Sequence, residues 1–128
     1  MYGYCCKRRR MVNLTNHPFS AWEEKQVQAA KKYGEIKEIP FPIVSPYADS
    51  KELDTLAEEY KDKILALGDQ YVLLQGEFTF TYRLVQLLKA EKIRVFAACS
   101  ERDVRERMKK DGKIVKESRF DFVQFREY

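Results

Sequence analysis

The chain has 128 residues, 45% of them hydrophobic, enough for one domain with a single sizeable core and too little for two. Its formal charge of +4 resides in Lys7, Arg8, Arg9 and Arg10; without these four, the 24 Lys and Arg fall to 20 against 20 Asp and Glu, a balance that argues against a broad face for duplex nucleic acid. No apolar run approaches the ~18 to 20 residues of a bilayer span, and no signal-peptide stretch follows the basic start, so the expected location is the cytoplasm with no membrane partner.

Residues 1–10 have no periodicity and read as a disordered basic leader, or an upstream start, ahead of a folded domain over residues 11–128. A nucleic-acid or membrane arm is the sharper alternative for that leader. Adjacent Cys5 and Cys6 would strain the backbone if bonded, and Cys99 ends an apolar run as a buried thiol. Neither supports a disulfide framework, and no Cys or His spacing suits zinc. Val12 to Thr15 is a short first strand. Ser20-Ala21-Trp22-Glu23 matches a capping box and predicts a helix from that point, with Trp22, Val27, Ala30 and Tyr33 on its apolar face and Gly34 beyond its end. Ile36 to Ile39 is a second strand, stopped by Pro40, Pro42 and Pro46. From Asp49 or Ser50 to Leu67, apolar residues recur at three- and four-residue steps and predict a second helix. Tyr71 to Leu74 is a buried parallel strand, Phe80 to Lys89 a third helix and Ile93 to Ala98 a fourth strand.

Four strands with helices between them predict a doubly wound, mostly parallel α/β sheet. Asp111-Gly112 is a two-residue hairpin signal, and the Phe120, Phe122, Val123 and Phe125 pattern predicts an antiparallel hairpin at the sheet edge over about Val104 to Arg126. A helix over Glu101 to Lys110 is the rival, because Val104 and Met108 also fit helical spacing.

In such a sheet, ligands bind beyond the carboxyl ends of the strands where strand order reverses, commonly between the first and third. Those strands end in Asn13-Leu14-Thr15-Asn16-His17, which holds the only histidine, and in Gln75-Gly76-Glu77-Phe78-Thr79; the fourth ends in Ser100-Glu101-Arg102. Together they offer hydroxyls, amides, an imidazole, a guanidinium and helix N-termini, a set suited to phosphate groups and nucleotides. Each also has a plainer reading. Asn16-His17-Pro18 can be turn chemistry, Thr79 and Thr81 helix caps, Glu77 a partner for the helix dipole rather than a general base, and Arg102 a surface ion pair. Phe78, Phe80 and Tyr82 read as core before they read as a base-stacking platform. No Gly-x-Gly-x-x-Gly, Walker-type or Gly-x-Ser-x-Gly motif occurs, and the strand ends lack the aspartates of a metal-dependent phosphatase. No cofactor or metal is implied.

The run Val12-Asn13-Leu14-Thr15-Asn16-His17-Pro18, the turn Gln75 to Thr79, the run Ala97-Ala98-Cys99-Ser100-Glu101-Arg102 and the β tail together resemble the small, single-domain CRISPR-associated proteins related to the CRISPR-associated Rossmann fold. Several of these are ring nucleases or candidates for that activity. The resemblance, over about residues 11–128, implies a Rossmann-like homodimer that binds a cyclic oligoadenylate second messenger across its two-fold axis and linearises it without metal. It implies that Asn13, Thr15 and His17 line the ring, with Asn16 beside them and His17 as donor or acid. Gln75, Gly76 and Thr79, near Glu77, would hold phosphates, and Ser100 and Arg102 would stabilise charged oxygens. Two alternatives stay open: a sensor or sponge with the same pocket and no turnover, and an interaction subunit whose Phe120, Phe122, Phe125 and Tyr128 dock a partner.

Overall fold

The computed structural model describes residues 9–68 and 70–128. Five strands form one sheet in the order β2-β1-β3-β4-β5. β1 (Arg10–Thr15), β2 (Glu35–Glu38), β3 (Gln70–Gln75) and the first part of β4 (Arg94–Met108) run parallel, and β5 (Ile114–Glu127) returns antiparallel along β4. Between them lie α1 (Glu24–Lys31), α2 (Ser50–Leu65) and α3 (Phe78–Ala90). This is a doubly wound, mostly parallel α/β sheet with an antiparallel hairpin at its edge.

Alternation along the strands divides the core into two. Val12, Leu14, Val72, Leu74 and Val95 face α2 and α3, where Ala57, Ile64, Phe80, Leu84 and Leu88 close over them. Met11, Leu73 and Phe96 point the other way, toward Ala30 of α1 with Trp22 and Tyr33 packed alongside. Asp49 caps α2 by accepting from the Glu52 amide at 2.8 Å, and the buried Leu53, Ala57 and Ile64 follow the spacing read from sequence.

The first strand, expected from Val12, begins at Arg10, inside the stretch expected as a leader, and the Arg9 carbonyl already accepts from the Glu35 amide; a Cβ on Gly34, at φ 129°, would overlap that carbonyl. The rest of the leader, residues 1–8, lies outside the described residues. The Ser20 capping box does not form. Phe19–Ala21 make a single 3-10 turn, and α1 starts at Glu24 with no side-chain bond at its cap. The reason is tertiary: the Trp22 indole donates to the His17 carbonyl at 3.1 Å, and the Glu38 carboxylate accepts from the Phe19 amide, which holds this stretch against the sheet.

The largest revision concerns β4. It does not stop at Ala98 but continues to Met108, with a register shift between Cys99 and Ser100, and pairs with β5 throughout. The hairpin therefore displaces the rival helix over Glu101 to Lys110. Its turn is where Asp111-Gly112 places it, with Gly112 at φ 84°. Among the described residues, no helix is long and apolar enough to cross a membrane.

Candidate functional site

β1 and β3 are neighbours, and the chain leaves them toward opposite faces of the sheet, so strand order reverses between their carboxyl ends. A cavity of about 560 Å³ opens there, on the α1 face. Thr15 and His17 come to it from β1, and Gln75 from β3. Trp22, Glu23 and Gln26 come from the helical side, and Ser100, Phe120 and Phe122 from the hairpin. The volume suits a nucleotide-sized ligand.

The loop after β1 is built around one backbone carbonyl. That of His17 accepts from Asn13 Nδ2 at 2.9 Å and from the Trp22 indole, and lies 3.0 Å from Thr15 Oγ1. Thr15 Oγ1 also accepts from the His17 amide at 3.1 Å and sits 2.8 Å from Asn13 Oδ1, so its single proton serves either oxygen. Asn13 is buried and its Nδ2 also reaches Glu38 Oε1 at 3.4 Å. These bonds fix the His17 backbone and leave its imidazole exposed at the cavity. Asn13 and Thr15 thus shape the loop more than they face a ligand. Asn16 and Asn13 line a second, smaller cavity of about 310 Å³ against Glu38, Pro40 and Phe41.

After β3 the polar cluster is turned inward on itself. The paired backbone of β3 and β4 ends at Leu73 and Phe96, and the Gln75 side chain extends it, donating to the Ala98 carbonyl at 3.2 Å and accepting from the Ala98 amide at 2.9 Å. Gly76 is required by packing: a Cβ there would overlap the Phe41 ring. Glu77 is the N-cap of α3. It accepts from the amides of Thr79 (3.0 Å) and Phe80 (2.8 Å) and from the Thr79 hydroxyl (2.7 Å). Desolvation pushes its carboxyl up, but these hydrogen bonds and the nearby Arg83 outweigh that and hold it below its ordinary range. The anion at this helix N-terminus is therefore the chain's own. Gly76, Glu77 and Thr79 are absent from the cavity wall, and the reading of Gly76 and Thr79 as phosphate holders meets a filled cap; only Gln75 of this cluster reaches the cavity.

Ser100 and Arg102 do not sit in a loop at a strand end, because β4 continues through them. Ser100 still reaches the cavity. Arg102, two residues further along the same face, lies opposite Phe120 and donates to the Ser118 hydroxyl at 3.1 Å. Of the four tail aromatics, Phe122 is buried and Phe125 packs against it and Tyr33, while the Tyr128 hydroxyl donates to the Leu74 carbonyl at 2.7 Å. Only Phe120 is left largely free.

Sequence reasoning missed the helical side of the cavity. Glu23 read as half of a capping box; instead it lines the cavity, with Oε2 3.5 Å from the Phe122 amide. No sequence signal marked it, whereas the alternation of Phe120 and Phe122 did mark one shared face. Among the described residues, no three His, Cys, Asp or Glu side chains cluster as metal ligands.

No curated protein matches this chain. A family model does, over residues 9–126, a span that takes in the sheet up to Arg126, one residue short of the end of β5, and every wall of the cavity; the chain belongs to the uncharacterized protein MJ1673 family.

Proposed function

We propose that this protein binds a cyclic oligoadenylate, or a closely related phosphate-bearing nucleotide, in the cavity beyond β1, β3 and β4, as a cytoplasmic homodimer, and opens the ring as a CRISPR ring nuclease does. The observation that carries the reading is the composition of that one cavity: an exposed imidazole held by a braced backbone, beside aromatic walls. Trp22 offers a π-face to an unpaired base, with Phe120 in the adjoining wall. Glu23 and Gln26 offer hydrogen-bond partners to base edges and ribose hydroxyls, and Ser100 adds a hydroxyl from the hairpin, while Arg102 lies two residues further along the same face, outside the cavity wall. The adenine preference rests on the family resemblance of the three sequence runs.

The reaction needs geometry more than a strong catalyst. A ribose 2′-oxygen gives its proton to solvent water and bonds to the adjacent phosphorus, the bond from phosphorus to the 5′-oxygen breaks, and the leaving oxygen takes a proton. The product is a linear oligonucleotide with a 2′,3′-cyclic phosphate and a 5′-hydroxyl. His17 would protonate the leaving oxygen, and the Ser100 hydroxyl, in the cavity wall, would hydrogen-bond an equatorial oxygen.

The test is incubation of the purified chain with cyclic tetra- and hexa-adenylate in EDTA, following thermal shift and chromatographic product together. Linear product ending in a 2′,3′-cyclic phosphate supports the enzyme. A thermal shift without product supports a sensor or sponge with the same pocket, and neither signal overturns the nucleotide reading.

A further inference from the structure

Beyond the body of the sheet, β4 and β5 run on as a two-stranded ribbon of nine directly opposed pairs, from Ser100↔Phe122 to Met108↔Ile114. At ~3.3 Å per residue it extends about 30 Å. Its two faces differ. One carries Glu101, Asp103, Arg105, Arg107, Glu117, Arg119 and Asp121, and its charges close on one another: Arg105 with Asp103 at 2.9 Å, Arg107 with Glu117 at 3.3 Å, Arg119 with Asp121 at 3.2 Å. That is a finished solvent face. The other carries Phe120, Val104, Met108 and Ile114, which are 62%, 51%, 72% and 63% exposed, interleaved with Arg102, Glu106, Lys116 and Ser118. An apolar stripe on an isolated two-stranded ribbon is marginal in water and open to association.

We infer that this apolar ribbon face is the contact surface for a second copy of the same chain, paired with the identical face about a two-fold axis that crosses the strands at the Val104/Ser118 level. The sequence of the face is complementary to itself at that register. Counting levels outward from the axis, Arg102 meets the partner's Glu106, and Lys116 lies over the ring of the partner's Phe120. Among the described residues, Arg102, Glu106 and Lys116 make no ion pair within their own chain, although Glu106 and Lys116 are opposed. One level further out, the tip residues Met108 and Ile114 come level with the partner's exposed Ser100 and buried Phe122. Those two line the cavity, so the arm of each copy borders the mouth of the other's site. The bare ribbon, about 30 Å by ~10 Å, is smaller than the ~800 Å² per partner of a standard interface, and this seating of the tip on the neighbouring body supplies further contact.

The inference takes the homodimer of the proposed function and gives it a surface. It fails separately, because its test reads mass and not ligand. Sedimentation of the full chain without nucleotide should give twice the chain mass at ~100 µM, and Glu106→Arg, which sets two arginines face to face, should weaken the dimer by at least about tenfold. Arg102→Glu combined with Glu106→Arg should restore it. Met108→Asp with Ile114→Asp should give a monomer with an unchanged far-ultraviolet circular dichroism spectrum, since neither side chain is buried within its own chain. A wild-type monomer at this concentration overturns the inference, as does a dimer indifferent to both Glu106→Arg and the Met108/Ile114 pair. A dimer broken instead by Phe78→Asp with Tyr82→Asp would place the interface on α3 and overturn it equally.

Discussion

One face of the sheet is covered by two helices and the other by one. α2 and α3, of 16 and 13 residues, seal Val12, Leu14, Val72 and Leu74 completely. On the opposite face α1 has eight residues, enough to cover Met11 and Leu73 but not Thr15, Gln75 and Ser100, which open into the cavity. The difference separates two jobs. Burial on the α2/α3 face stabilises the domain, and incomplete cover on the α1 face leaves polar groups and aromatic rings where a ligand can reach them.

Substitutions on the two faces should therefore diverge. Phe80 is fully buried between Phe41 and Tyr60, with ring centroids 5.3 and 5.5 Å away, and Phe80→Ala should cost about 3 to 5 kcal/mol in urea unfolding. A loss under ~1 kcal/mol would break the comparison, since a cavity of that size in a core that bears the stability cannot be so cheap. His17→Ala is the counterpart on the open face. It should slow ring opening by roughly 10²- to 10⁴-fold and leave unfolding within about 0.5 kcal/mol of wild type; equal rates for both proteins would remove His17 from the chemistry.

Glu77 caps α3, one of the two helices on the sealed face, and its effect should be intermediate. Glu77→Gln weakens the α3 cap and should cost about 1 kcal/mol at neutral pH. Because the folded carboxyl titrates below its unfolded value, its contribution is complete above about pH 4.3 and is lost as pH falls through the lower folded value. The Gln variant should lose that part of the acid slope, and a parallel pH profile for the two proteins would contradict the assignment. The smallest effect belongs to Thr81, whose hydroxyl is buried without a partner among the described residues. Thr81→Val should be neutral or stabilising by up to ~1 kcal/mol, and clear destabilisation would show that the hydroxyl has a role on this face.

The elements legible in the sequence are those with a local cause. The Asp111-Gly112 turn, the α2 periodicity closed by Asp49, and the apolar run of β3 each name their own conformation. The polar strand-end clusters and the strand order common to such sheets pointed to the gap between β1 and β3, where the cavity opens. What stayed hidden depends on distant partners. Ser20 to Glu23 carries a helix-start pattern, yet the Trp22 indole is drawn to the His17 carbonyl and the helix begins later. The charged run from Glu101 to Arg107 shows no buried strand, because its face is solvated and its ladder partner is β5. Gln75 and Thr79 read as ligand groups because their bonds to Ala98 and Glu77 leave no mark in composition or spacing.

Trp22 is the only tryptophan in the chain and forms part of the cavity wall, so its emission reports on that site alone. Titrating the protein with cyclic tetra-adenylate while following this emission tests the central claim directly. Saturable quenching, as a base stacks on the indole, is the predicted result; unchanged emission up to about 100 µM nucleotide, a range that covers ordinary ligand affinities, would contradict it.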